Sequence, residues 1–129
     1  MGIGYLLDSN VIIGYLAGDI PAPGMAVVSG IVDAGIHISV ISHMEVLRLN
    51  DTPENEGSLA DFVNVAAIHP LRDPVVHRTI TLCKQSRIKL PDAIITATAL
   101  TENFALVTRN SDDFKNIPGL ELLNPWELP

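Results

Sequence analysis

Cysteine, aromatic side chains and positive charge are all scarce in this sequence. Its 129 residues include one Cys, one Trp, two Tyr and three Phe, and eight Lys or Arg stand against 15 Asp or Glu. The single Cys83 excludes a disulfide within the chain. A formal net charge of -7 argues against a protein that grips nucleic acid over its whole surface. A local basic rim is still compatible with the sequence, because all the Lys and Arg residues lie between Arg48 and Lys115.

Long apolar runs and an N-terminal targeting segment are also absent. No run approaches the roughly 20 residues of a membrane span, and residues 1–5 carry no positively charged side chain of the kind that opens a signal peptide. We therefore expect a soluble cytoplasmic protein without a membrane partner. The length predicts one domain over residues 1–129. An apolar fraction of 47% leaves two alternatives, a well-filled core or apolar surface that another chain covers.

Short apolar runs alternate along the chain with stretches of helical periodicity. Strands are predicted at residues 3–7, 36–41, 66–68, 105–107 and 120–123. Helices are predicted around residues 11–16, 25–34, from 42 onwards, and around 59–65, 74–85 and 92–103. Continuously apolar strands are typical of a parallel sheet that is buried on both faces. The alternation predicts an α/β fold, a three-layer α/β/α sandwich with a mostly parallel five-stranded sheet.

Acidic residues follow several of these strands. Asp8 comes directly after the first strand, Glu45 lies one helical turn beyond the second, and Asp112 and Asp113 follow the fourth. Asp92 opens the long helix that leads into the fourth strand. Sites in open parallel sheets form beyond the carboxyl ends of the strands, so we expect these acids to converge. Oxygen ligands without Cys or His indicate a hard divalent cation such as Mg²⁺ or Mn²⁺.

Each acid also has a purely structural explanation. Asp8 before a helix fits an ordinary N-cap, and the spacing of Ser42 and Glu45 fits a capping box. Asp92 suits a first helical turn, where an acid interacts favourably with the helix dipole, and residues 112–113 fit a solvated turn. No single acid decides between the two explanations.

Four segments resemble, in order and spacing, the motifs of PIN-domain proteins. They are LDSNVII at residues 7–13, SHME at 42–45, LPDAIITA at 90–97 and LVTRNSDDF at 106–114. The ending IPGLELLNPW at residues 117–126 is similar to that of the VapC-type toxins in this family. The resemblance covers nearly the whole chain. It implies a Mg²⁺- or Mn²⁺-dependent endoribonuclease that cleaves RNA, the toxin of a toxin–antitoxin pair, often a homodimer and neutralised by a small VapB-like antitoxin.

The same resemblance assigns roles to individual residues. The catalytic acids, which are also the metal ligands, would be Asp8, Glu45, Asp92 and Asp113. Polar residues that support the site would be Ser9, Thr108, Asn110 and Asp112. Asp113, next to Phe114, matches the toxin pattern better than Asp112, and some relatives carry an acid where this chain has Asn110.

Three basic residues are candidates for binding the substrate's phosphates. Arg87 and Lys89 lie just upstream of Asp92, and Arg109 lies just before the acidic doublet. Plain surface charge is the alternative explanation for all three. The resemblance also leaves open a PIN-like module that binds RNA or protein without cutting, which metal-dependent cleavage would distinguish. A receiver-type phosphoacceptor domain fits poorly, since the third strand ends at His69 rather than at an acid.

Several other residues carry weaker expectations. The four histidines are dispersed without ligand spacing, and Cys83 is expected to be a small buried side chain. Trp126 is expected to pack on the core. Four apolar residues of the first helix could form a surface for a second subunit or for an antitoxin, with core burial as the alternative. These are Val11, Ile12, Tyr15 and Leu16.

Overall fold

A computed structural model describes residues 4–129 of the chain. The strands are β1 (Gly4–Leu7), β2 (His37–Ser39), β3 (Ala67–His69), β4 (Phe104–Val107) and β5 (Leu122–Leu123). The helices are α1 (Ser9–Ala17), α2 (Ala22–Ala34), α3 (Val40–Leu47), α4 (Pro53–Asn64), α5 (Asp73–Gln85) and α6 (Leu90–Glu102), and a 3₁₀ turn spans Ser111–Asp113. Ile3, the first residue of the predicted strand, lies outside the described residues.

The strands pair in two parallel ladders. One ladder has the order β1-β4-β5 and the other joins β2 to β3, with Leu7 opposite Val107 and Ser39 opposite His69. β1 also packs beside β2, so the strands lie in the order β3-β2-β1-β4-β5. The predicted α/β class and mostly parallel sheet are confirmed, although the hydrogen-bonded ladders contain three and two strands.

Alternating side chains of the sheet face two helical layers. Leu6 and Leu106 pack against Ile95 of α6, and α5 covers the outer side of that layer. Leu7 and Val107 point to the opposite face, where they join the core formed with α1, α2 and α4. Successive residues of a strand point to opposite faces, so two adjacent apolar residues per strand are what a sheet buried on both sides requires.

Several helices begin earlier than the apolar pattern indicates. β2 ends at Ser39 and α3 begins at Val40, because the Ser39 hydroxyl accepts a hydrogen bond from the Ser42 amide and caps the helix. The predicted strand to residue 41 and helix start at residue 42 are therefore wrong. α4 begins at Pro53, six residues before the predicted start, and is capped by Thr52. Its first turns are polar and carry no periodic apolar signal.

The first helix exposes only part of its apolar surface. Val11 and Ile12 are fully buried, so of the two alternatives, an interface or the core, core burial holds for them. Tyr15 is partly buried against the core. Ile13 and Leu16 are the large apolar residues of this helix that are exposed, at 37% and 38% of their full accessibility.

Two other surface properties bear on the predictions. Cys83 is exposed on α5, so its predicted burial is wrong.

Within residues 4–129, no single helix is long and apolar enough to cross a membrane. Only α1 and α2 taken together, at an angle of 110° to each other, satisfy the length and composition of a span.

Candidate metal centre

An open cleft of about 280 Å³ lies beyond the carboxyl ends of β1 and β4. Segments that are distant in the sequence contribute to it, from α1, α3, α6 and the turn after β4. The lining residues are Asp8, Ser9, Asn10, Ile13, Glu45, Arg48, Leu49, Asp92 and Asn110. Three of the four predicted metal ligands thus share one cleft.

Asp8 is a buried carboxylate, with 6% of its surface exposed. Its Oδ1 accepts a hydrogen bond from the Ser9 amide at 2.8 Å, and its Oδ2 accepts one from the Thr108 hydroxyl at 2.8 Å. Asp8 is therefore the N-cap of α1, as the structural explanation predicts, and it also lines the cleft. Burial raises its pKa, and the charges of Glu45 and Asp92 raise it further, against the lowering effect of the two hydrogen bonds.

Glu45 is not part of a helix cap. Its helix begins at Val40 and is capped by Ser39, so the capping box predicted with Ser42 does not form. Instead, Glu45 Oε1 accepts a hydrogen bond from the Ser9 hydroxyl at 2.7 Å. Ser9 therefore joins the carboxylates of Asp8 and Glu45, using its amide for one and its hydroxyl for the other.

Asp92 lies in the first turn of α6 and is partly buried. Burial raises its pKa, and the charges of Asp113 and Glu45 raise it further, while Lys89 lowers it. Asp113 does not line the cleft, but its charge reaches Asp92. Asp112 is exposed and its carboxylate lies 3.7 Å from the Lys115 ammonium. Of the doublet, Asp113 is thus the residue coupled to the cleft.

The turn after β4 adds the polar side chains and amides around Asp8. The Thr108 hydroxyl donates to Asp8 and accepts a hydrogen bond from the Asn110 amide at 3.1 Å. The Arg109 amide donates to Asn10 Oδ1 at 3.2 Å, which ties the turn to α1. Ser9, Thr108 and Asn110, all predicted from the sequence to support the site, lie in this network.

The donor set fits a hard divalent cation. Among residues 4–129, no three His, Cys, Asp or Glu side chains lie close enough together to hold a metal ion as they stand. The acids line an open cleft whose negative charges repel one another. The ion pairs in that part of the chain join Arg72 to Glu102 and Lys115 to Asp112, so neither neutralises Asp8. A buried carboxylate without an ion-pair partner, as Asp8 is among the described residues, is what Mg²⁺ or Mn²⁺ would stabilise.

The three basic residues predicted to bind phosphates differ in their contacts and in their distance from the acids. Lys89 is close enough to Asp92 to lower its pKa. The guanidinium of Arg109 stacks over the Trp126 ring at 4.8 Å from its centroid, and Arg87 is exposed. Arg48, which the sequence reasoning missed, lines the cleft. Its spacing of three residues from Glu45 was the available signal, because such residues share a helix face.

Comparisons with known proteins identify a matching family and several similar structures. The family model described as PIN domain matches residues 5–120. No curated protein matches the chain. A chain in a toxin–antitoxin complex from Klebsiella pneumoniae is 28% identical, with a TM-score of 0.76 over 97% of this chain and 100% of that one. Two further structures share the fold. VapBC2 from Rickettsia felis, bound to a promoter DNA fragment, is 23% identical with a TM-score of 0.79 over 95% and 98% of the two chains. FitAcB from Neisseria gonorrhoeae is 21% identical with a TM-score of 0.77 over 96% and 99%.

Proposed function

Because the chain belongs to the PIN-domain family, we propose that it is a Mg²⁺- or Mn²⁺-dependent endoribonuclease and the toxin of a toxin–antitoxin pair. The observation that carries this proposal is the meeting of Asp8, Glu45 and Asp92 in one cleft. The three acids come from different elements, and the pKa values of Asp8 and Asp92 are raised. Perturbed acids in a cleft are a common mark of catalytic sites.

The side chains have distinct roles in this proposal. Asp8 and Asp92 would be the main metal ligands, and Glu45 and Asp113 would contribute to a second ion or to its waters. A bound Mg²⁺ or Mn²⁺ supplies positive charge for the scissile phosphate and lowers the pKa of water. Ser9 holds Asp8 and Glu45 in fixed relation through its amide and hydroxyl.

An RNA cleavage assay tests the proposal. The purified protein should cut RNA internally when Mg²⁺ or Mn²⁺ is supplied, and the cutting should stop when a chelator is added. Single-stranded DNA of the same sequence serves as the control substrate. RNA binding without any metal-dependent cleavage would support the alternative, a PIN-like binding module, and would contradict an endoribonuclease.

Binding of RNA should depend only modestly on salt. The acidic protein has few basic residues near the cleft, and we assign Arg87, Lys89 and Arg109 to the phosphates of the substrate. For single strands the logarithmic slope against salt is about -0.7 for each phosphate contact, so three contacts give a slope of roughly -2. The measurement is a salt titration of RNA binding with Ca²⁺ in place of Mg²⁺.

Two triple variants separate this basic rim from general surface charge. Changing Arg87, Lys89 and Arg109 to Ala should weaken RNA binding and flatten the slope. The matched control changes three other basic residues, Arg72, Arg78 and Lys84, which lie on α5 or at its N-cap, an element that contributes no residue to the cleft. A slope of about -6 or steeper for the wild type, or equal binding by the two variants, would contradict the assignment.

A VapB-like antitoxin and a second copy of the chain are the partners that we expect. Support comes from the relative in a toxin–antitoxin complex and from the exposed Ile13 and Leu16. These two residues border a cavity of about 100 Å³ that also contacts Leu59 of α4. Sedimentation at tens of micromolar should show a dimer that Leu16→Glu weakens. A wild type that sediments only as a monomer would refute the self-association.

A further inference from the structure

The segment after β5 is tied to the turn after β4 by one side chain. The Asn124 amide nitrogen donates to the Arg109 carbonyl at 2.8 Å and to the Ser111 hydroxyl at 3.3 Å. Its carbonyl Oδ1 accepts a hydrogen bond from the Trp126 amide at 2.9 Å, which fixes the orientation of the side-chain amide. Asn124 therefore holds both ends of residues 109–111 from outside the cleft.

The turn that Asn124 holds determines where the Thr108 hydroxyl points. A hydroxyl has one proton, and the Asn110 amide already donates to this oxygen at 3.1 Å. The proton of Thr108 is then directed at Asp8 Oδ2, which lies 2.8 Å away. Movement of the Asn110 amide would free the hydroxyl to rotate, and Asp8 would lose a fixed donor.

We infer that Asn124 is a positioning residue of the metal centre, which acts on Asp8 through residues 109–111, the Asn110 amide and the Thr108 hydroxyl. This inference rests on the proposed function, because it assigns Asp8 to a metal ion. The Asn124 side chain does not line the cleft, so it acts without touching the ion or the substrate. Hydrogen-bond partners of metal ligands set the orientation and basicity of those ligands.

Packing around the same segment explains why this side chain can act as an anchor. Trp126 packs on the core formed by α1, α2 and α4, and a Cβ at Gly14 would lie 2.7 Å from its indole ring. The Thr108 amide also donates to the Leu123 carbonyl at 3.0 Å, so the chain on both sides of Asn124 is held. A fixed backbone lets one amide side chain restrain the turn.

The test measures binding of Mn²⁺ alone, without RNA, by calorimetry. Asn124→Ala should weaken Mn²⁺ binding by roughly five-fold, less than the ten-fold or larger loss that is typical of a direct hydrogen-bond partner of a metal ligand. Asn124→Ser, whose side chain is too short to reach Arg109, should behave in the same way. Hydrogen exchange of the Asn110 amide should accelerate in both variants while that of amides in α4 does not, whereas a general loss of stability would accelerate both.

Two controls make the result decisive. Thr52→Ala removes the cap of α4 away from the cleft, so it should lower the melting temperature without changing Mn²⁺ affinity. In a Thr108→Val background, Asn124→Ala should cause no further loss, because the path through the hydroxyl is already broken. Normal Mn²⁺ binding by Asn124→Ala and Asn124→Ser, or an undiminished loss in the Thr108→Val background, would overturn the inference alone. A wild type that binds no Mn²⁺ would overturn the proposed function and this inference together.

Discussion

Replacement of Asp8 or Asp92 by Asn should abolish RNA cleavage and leave the metal-free protein at least as stable as the wild type. Each substitution removes a carboxylate from the cleft where the acids meet. Mutation of the partners of metal ligands already costs about 10- to 100-fold, so loss of a ligand should reduce cleavage by more than about 100-fold. Asn is as good an N-cap as Asp, so the Asp8→Asn variant should keep the cap of α1.

The stability half of this prediction follows from the direction of the pKa shifts. Burial raises the pKa of Asp8 and of Asp92 above the ordinary value of 3.8, so the folded protein binds these protons more tightly than the unfolded chain does. Their contribution to stability is therefore largest at low pH and is lost as pH rises from 3.8 through the raised pKa values. At neutral pH both charges oppose folding, and the neutral amide removes that cost.

Thermal melts without metal, at pH 7, measure the effect. The matched control is Asp33→Asn, which removes an exposed charge on α2, a helix that contributes no residue to the cleft, and should leave cleavage nearly unchanged. Melting temperatures of the two cleft variants should equal or exceed that of the wild type. A marked fall for both would show that Asp8 and Asp92 serve mainly as structural residues at their helix starts.

The order of helices and strands could be predicted from the sequence, because apolar residues are continuous in buried parallel strands and recur every three or four residues in amphipathic helices. Element boundaries were less readable. Val40 and Ile41 extend the apolar run of β2, yet they form the first turn of α3 because the Ser39 hydroxyl caps it. Thr52 and Pro53 are typical of a helix start, but polar residues follow them. The first turns of α4 therefore show no apolar periodicity from which the helix could be predicted.

The acids of the candidate site could be predicted from the sequence where they directly follow predicted strands. The position of Asp8 directly after β1 predicts that it lines the cleft, since sites in open parallel sheets form beyond the carboxyl ends of the strands. Contacts between distant side chains carry no such local signal. The rings of His37 and His69 meet at 3.0 Å between Nδ1 and Nε2 because β2 pairs with β3, although the histidines are dispersed in the sequence. Likewise, the contact of Asn124 with the turn at Arg109 depends on the pairing of β5 with β4.

Substitution of Thr108 by Val should shift Mn²⁺ binding to higher pH and reduce cleavage by roughly 10- to 100-fold. The Thr108 hydroxyl lowers the pKa of Asp8 by donating to Oδ2, so its loss should raise that pKa further. A proton and a cation compete for the same carboxylate, and a higher pKa makes the proton the stronger competitor at a given pH. Val preserves the shape of Thr but also leaves the Asn110 amide without its acceptor.

Thr108→Ser is the matched variant, because it keeps the hydroxyl and removes only a methyl group from a fully buried position. Mn²⁺ titrations at a series of pH values should give a Ser curve near that of the wild type and a Val curve displaced to higher pH. The Val variant should also lose about 1–3 kcal/mol of stability, the usual cost of a buried polar group left without a partner. At sufficiently high pH its Mn²⁺ affinity should approach that of the wild type, since Asp8 is then ionised in both. If the Thr108→Val and Thr108→Ser curves coincide at every pH, the hydroxyl does not control Asp8. If the Mn²⁺ affinity of Thr108→Val stays equally reduced at high pH, Thr108 positions the carboxylate without tuning its proton affinity.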